Sequence, residues 1–177
     1  MQTKEKKLHV FFVASWYPSK THPTLGNFCQ QHAIALSRLH KVSTLSIHSD
    51  EKAYKKRLEI TSLGELTEYR YYYPKVQSTH LLSSLLRFLS VLNCYLKGRS
   101  KIRKDQGKID ITHLNVAQPL GIFVLLSKLF HRSNYLLTEH SSSYIHPSFR
   151  ASWLLRKIVR HASILSPVSE YLQEKMC

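Results

Sequence analysis

The chain has 177 residues, 43% of them hydrophobic and 21% charged. That is the length of one domain, with core enough to fold without disulfides or metal and too apolar for wholesale disorder. Lys and Arg number 26 against 11 Asp and Glu, a formal net charge of +15; such a surface attracts polyanions, and charge alone does not choose among nucleic acid, anionic lipid headgroups and phosphorylated substrates.

The start, Met1 to Lys7, is basic and Leu8–Ala14 is apolar, which imitates a signal peptide. His9 inside the run, Trp16-Tyr17-Pro18 after it and the lack of a small-x-small cleavage site favour a buried strand instead. A near-continuous apolar run of this kind fits a strand covered on both faces, as in a parallel sheet. Ser15–Gly26 carries two prolines and a glycine and reads as a long loop, of the kind that tends to be functional. Asn27 is placed to cap a helix over Phe28–Leu39. Val42–Ile47 alternates as a second strand, which completes a right-handed βαβ unit.

Asp50–Arg57 is charged and reads as helical or loose. Glu68–Tyr73 alternates Tyr69, Tyr71 and Tyr73 against Arg70 and Tyr72, a third strand stopped by Pro74. His80–Arg103 is a long leucine-rich helix with a cationic tail, its leucines read as core. Ile109–Asn115 is a fourth strand, followed by a turn over Ala117–Gly121 and a helix to about Phe130. Tyr135–Thr138 is a fifth strand, Glu139–Ser148 a polar loop and Phe149–His161 a basic helix. Ser163–Val168 is a sixth strand, and Ser169 caps a last helix. No stretch reaches the ~18 apolar residues of a spanning helix.

Strands alternating with helices call for an α/β fold: a doubly wound, Rossmann-like parallel sheet with helices on both faces. Ligands of such sheets lie beyond the carboxyl ends of the strands. The loops after the first, fourth and fifth strands should therefore share one edge. Gly26-Asn27 at a helix start suits a phosphate or sugar hydroxyl, although G-x-G-x-x-G and the P-loop pattern are both absent. Trp16 and Tyr17 either stack a sugar or pack the loop. Glu139, His140 and Ser141 form a polar cluster at a strand end, where His140 can hydrogen-bond a hydroxyl. No G-x-S-x-G elbow supports a serine hydrolase, and His140 with His146 lacks a third metal ligand. His113 and Asn115 share a face of their strand; His113 reads as a core histidine and Asn115 as the better ligand. Cys29, Cys94 and Cys177 are odd in number, widely spaced and without C-x-x-C, so they read as reduced thiols of a cytosolic compartment.

Val13-Ala14-Ser15-Trp16-Tyr17-Pro18, then Pro23-Thr24-Leu25-Gly26-Asn27-Phe28, resembles the opening of family 4 glycosyltransferases of the GT-B fold, in the subgroup whose first strand ends in S-W-Y-P. Asp110–Asn115 with Pro119-Leu120-Gly121 is similar to the family's D-I-I-H-x-H…P-x-G segment, with Asn115 in place of the second histidine. Tyr135–His140 resembles its T-E-H strand end, and Ala162–Glu170 its V-S-E segment.

The resemblance implies a retaining transfer from a nucleotide-sugar to a saccharide or lipid-linked acceptor, in cell-surface polysaccharide or lipopolysaccharide assembly. No metal or organic cofactor is implied, and the nucleotide-sugar is a donor substrate. His140 would lie near the transferring sugar and Gly26-Asn27 near the diphosphate or acceptor. Residues 1–177 would be a single acceptor-side domain without the C-terminal donor-binding domain. It would be inactive alone, and either a remnant or the partner of a separate chain carrying that domain. The location implied is cytoplasmic, peripheral on the inner face of the membrane, where His80–Leu96 with its tail and Arg150–Arg160 would meet anionic lipid. A non-catalytic basic α/β binding domain, for nucleic acid or membrane, is the alternative; no recognised nucleic-acid motif supports the first.

Overall fold

The computed structural model describes residues 6–75, 81–131, 133–140 and 153–176. Among these residues seven strands are present: β1 (His9–Ala14), β2 (Lys41–Asp50), β3 (Arg57–Leu63), β4 (Leu66–Pro74), β5 (Ile111–Asn115), β6 (Tyr135–Glu139) and β7 (Ile164–Pro167). With them go α1 (Asn27–Ser37), α2 (Leu81–Gln106), α3 (Gly121–His131), α4 (Trp153–His161) and α5 (Glu170–Met176). The strands form one sheet in the order β3-β4-β2-β1-β5-β6-β7. All neighbours pair in parallel except β3, which is antiparallel to β4. This is the expected doubly wound α/β sheet with helices on both faces.

The apolar run of β1 dictates its central position. All six residues are buried, and alternation sends them to two cores. Phe11 and Val13 join Leu45, Tyr69, Tyr95, Leu114, Phe123 and Ile158 under α2, α3 and α4. Val10, Phe12 and Ala14 join Tyr17, Cys29, Ala33, Val42 and Leu66 under α1. Gly98 lets α2 lie close on β2, because a Cβ there would meet the Leu45 side chain at 2.6 Å.

Three expectations need correction. Of the two readings of Asp50–Arg57 the loose one holds: turns lead into β3, which makes seven strands among the described residues rather than six. Edge strand β3 has Leu58 and Ile60 on alternate positions but is mostly exposed, so its pattern is faint. Gly64, at φ 57°, makes the tight turn into β4. Secondly, Gly26 rather than Asn27 is the cap residue of α1, and no side chain caps that helix. Thirdly, the leucines in the first half of α2 are not core: Leu81, Leu82, Leu85, Leu86 and Leu89 are 48–89% exposed. The buried face of α2 is instead Cys94, Tyr95, Gly98 and Ile102. Among the described residues, no helix is long and apolar enough to cross a membrane.

One buried carboxylate ties the two ends of the first loop to the sheet. Glu68 on β4 accepts hydrogen bonds from the Tyr17 hydroxyl (2.7 Å), the Gln30 amide (2.9 Å), the Thr61 hydroxyl (2.9 Å) and the Arg70 guanidinium (2.7 Å). Arg70 also donates to the Pro18 carbonyl at 3.0 Å and lies over the Tyr17 ring. Burial works to raise the Glu68 pKa, but hydrogen bonds from Tyr17 and Gln30 and the Arg70 charge outweigh it, so the carboxyl sits below its usual value. With both Glu68 and Arg70 largely buried, removing one leaves an uncompensated charge. Glu68→Ala is expected to cost about 3 kcal/mol in urea unfolding and to expose Ser15–Gly26 to proteolysis. Wild-type stability in that variant would count against the anchor.

Candidate functional site

Since β1, β5 and β6 run in parallel, with Ala14 beside Asn115 and Asn115 beside Thr138, their carboxyl ends form one rim. Gly26 lies against the β1 end of that rim. Its φ of 70° is left-handed, and a Cβ would meet the Trp16 carbonyl carbon at 2.4 Å. Only glycine fits, on conformation and on space. This packing sets the N-terminus of α1 at the rim, and the helix then delivers Phe28, Cys29 and His32.

The Phe28 ring is exposed and its centroid lies 4.3 Å from that of His140; Trp16 meets Phe28 edge-on at 6.3 Å. Gly26, Phe28 and His140 are thus gathered at one edge, as the sheet topology predicts. Trp16 and His140 are half-buried, Asn27 is exposed and Gly26 is buried beneath them. Ser141 lies outside the described residues.

Behind this shelf is a buried polar cluster. Asn115, fully buried, accepts from the Cys29 thiol at 3.1 Å. Its amide nitrogen faces His32 Nδ1 at 3.4 Å and His113 Nε2 at 3.5 Å. The Thr138 hydroxyl also meets His113 Nε2, at 2.8 Å. An amide nitrogen only donates, so both ring nitrogens must accept, which neutral imidazole allows and imidazolium does not. Burial agrees: it drives the His113 pKa down to about 3, with the nearby His32 and His140 adding to the effect. Burial also lowers His32, and burial with His32 lowers His140. The Cys29 thiol is pushed up to about 12 by burial and by Glu139. Among the described residues, no group of His, Cys, Asp and Glu is placed to hold a metal ion.

Three predicted ligands therefore have other duties. The Tyr17 ring is fully buried and its hydroxyl is held by Glu68, so it packs the loop and does not stack a sugar. Asn115 is enclosed and hydrogen-bonded inside the chain. Glu139 is 1% exposed, and its two oxygens accept the backbone N–H groups of Ala117 (2.9 Å) and His140 (3.0 Å). Those bonds fix the β5–α3 turn, where Val116 holds a positive φ of 64°, an uncommon conformation for a β-branched residue. Trp16, Asn27 and His140 keep surface at the rim. Phe28, Cys29 and His32 were missed in the sequence; their helical spacing was legible, but their meeting with a strand 86 residues away, as Cys29 meets Asn115, was not.

Two solved structures share this fold. The trehalose-6-phosphate structure from E. coli, bound with UDP-2-fluoro glucose, matches with a TM-score of 0.55 at 13% identity, over 94% of this chain and 41% of that one. The α,α-trehalose 6-phosphate synthase from Burkholderia multivorans matches with a TM-score of 0.54 at 11% identity, over 96% of this chain and 42% of that one. The chain spans about two fifths of the length of each. The likeness is one of fold, a Rossmann-like α/β lobe of the GT-B kind, and does not reach the family 4 subgroup that the S-W-Y-P segment resembles. No protein-family model matches the chain, and no curated protein does.

The buried histidines carry a pH signature. A folded-state pKa below the unfolded value means that the stabilisation is whole above about 6.5. It is lost as the pH falls toward the folded value, because only the unfolded chain takes the proton. The thermal midpoint should therefore drop steadily from pH 7 to 5, and His113→Gln should flatten that slope. An unchanged slope in the variant would reject the assignment.

Proposed function

We propose that this chain is the acceptor-side lobe of a retaining GT-B glycosyltransferase of the family 4 kind. It would move a sugar from a nucleotide-sugar to a saccharide or lipid-linked acceptor, in cell-surface polysaccharide or lipopolysaccharide assembly. The observation that supports the reading is the meeting of the α1 N-terminus, Phe28 and His140 at the carboxyl rim of the sheet. The donor-binding lobe must come from elsewhere, in a longer chain or a separate one.

In this reading each rim group has a defined task. The first turn of α1 has no acidic residue and no side-chain cap. Its free N–H groups and positive dipole end favour a diphosphate or an acceptor hydroxyl. Trp16 and Phe28 offer ring faces to the apolar side of a sugar. His140 Nε2 is buried and has no hydrogen-bond partner among the described residues, and the depressed pKa keeps the ring neutral. A sugar hydroxyl that reaches this atom would be oriented without added charge. The ring does not attack: the leaving diphosphate assists the transfer, and fixed dipoles stabilise the charge that develops. Glu139 is a positioning residue, since it holds the His140 backbone N–H.

The chain alone, offered a panel of nucleotide-sugars and saccharide acceptors, is expected to show no transfer. Supplied with a donor-binding lobe it should become active, and His140→Ala in that complex should lower kcat by about 10² or more. Turnover by the chain alone would overturn the divided-lobe reading, and wild-type turnover in His140→Ala would overturn the role given to the histidine.

A further inference from the structure

β2 and β4 outrun the rest of the rim. Val13 on β1 lies beside Leu45, but β2 continues to Asp50, and β4 with it to Pro74. The two strands form a wall beside the first loop. Asp50 then folds the chain back: its carboxylate accepts the Lys52 N–H at 2.9 Å and its carbonyl the Lys75 N–H at 3.1 Å. The first loop is tied to the same wall, its Lys20 N–H on the Tyr72 hydroxyl at 3.3 Å and its Lys20 ammonium on Glu59 at 2.8 Å. Both segments line a groove of about 900 Å³.

The groove is cationic, and part of its charge is unspent. Lys20, Lys52, Lys55, Lys56, Arg57 and Lys75 line it, against the carboxylates of Asp50 and Glu51. Lys20 and Arg57 pair with Glu59, and Lys75 with Glu51. Lys52, Lys55 and Lys56 have no ion-pair partner among the described residues; Lys56 donates to the Asn93 amide oxygen at 3.4 Å. Tyr54, which lies among them, is fully exposed and offers a ring face. A concave surface with unneutralised cations concentrates anions. Separate ammonium groups along a turn match single charges spaced along a ligand, whereas the guanidinium fork that would clamp a phosphate, that of Arg57, is taken by Glu59. Asp50 and Glu51 would repel a continuous run of phosphates, but carboxylates accept sugar hydroxyls.

One stretch of chain joins this groove to the shelf of Trp16, Phe28 and His140, because Trp16 and the lining residues Lys20 and His22 belong to the same loop. In the strand order, β4 and β6 stand four intervals apart, about 19 Å at the usual strand spacing. A monosaccharide does not span that distance, and a chain of several sugars does. We infer that the acceptor is an acidic oligosaccharide: its growing end lies on the shelf, and uronate carboxylates several units back meet Lys52, Lys55 and Lys56. This substrate class rests on the chain's being an acceptor-side lobe, and narrows its acceptor from any saccharide to a polyanionic one.

The test is calorimetric titration of the chain with hexagalacturonate, digalacturonate and maltohexaose at low ionic strength. Hexagalacturonate should bind at least about tenfold more tightly than neutral maltohexaose, with the margin shrinking as salt is added. Digalacturonate, too short to reach both groove and shelf, should bind about tenfold more weakly than the hexamer. K52Q/K55Q/K56Q should remove most of the hexamer's margin, with unchanged circular dichroism and melting. Phe28→Ser, at the shelf, should weaken the hexamer severalfold and leave digalacturonate as it was. Equal binding of hexagalacturonate and maltohexaose would overturn the proposal and leave the transfer reading standing. So would hexamer binding that ignores the lysine or the Phe28 variant, or tighter binding of a thymidine hexanucleotide, which would give the groove to nucleic acid. A completed enzyme that transfers no sugar while these binding constants hold would instead reject the transfer reading alone.

Discussion

The Glu68 carboxylate is the constraint on which the rim depends. It is buried and receives donors from the first loop, α1, β3 and β4 at once. A charge in that position is stable only while all its partners stay in place. The loop that follows β1 is therefore not free to wander, although it is long and carries two prolines. Gly26 then continues the constraint by packing on the Trp16 backbone. Two contacts of different kinds, one ionic and one steric, set where α1 begins. The location of Phe28, and through it the surroundings of His140, follows.

The second organising element is the Asn115 amide. Each of its ends is engaged, with Cys29 on one side and His32 and His113 on the other. The direction of the hydrogen bonds selects the uncharged imidazole form. The rim therefore rests on a neutral polar layer rather than on a charged one. Glu139 supplies the charge, turned inward onto backbone N–H groups.

Much of the architecture was legible in the sequence because parallel strands buried on both faces write a strong signal. The run around Phe11, Phe12 and Val13 could be little else. The meeting of the loops after β1, β5 and β6 followed from topology, without any side-chain information. What failed was finer. Edge strand β3 is half solvated, so the alternation that would reveal it is diluted by Thr61 and Ser62. The leucines of α2 fooled a reading that equates leucine with core, because periodicity reports a stripe but not the direction in which it points. Tyr17, Asn115 and Glu139 were polar groups at the right address. Their inward orientation depends on partners such as Glu68 and Cys29, which lie far away along the chain and leave no local trace.

The two borders of the sheet carry a consequence for solution behaviour. On one side β3 runs against its neighbour and bears Arg57 and Glu59, which pair with each other, and Glu59 also pairs with Lys20. On the other, β7 has only four residues. A charged strand and a stub both make poor templates for the addition of another molecule's backbone. Among the described residues, both borders of the sheet are therefore poor places for crowding at high concentration to extend the ladder.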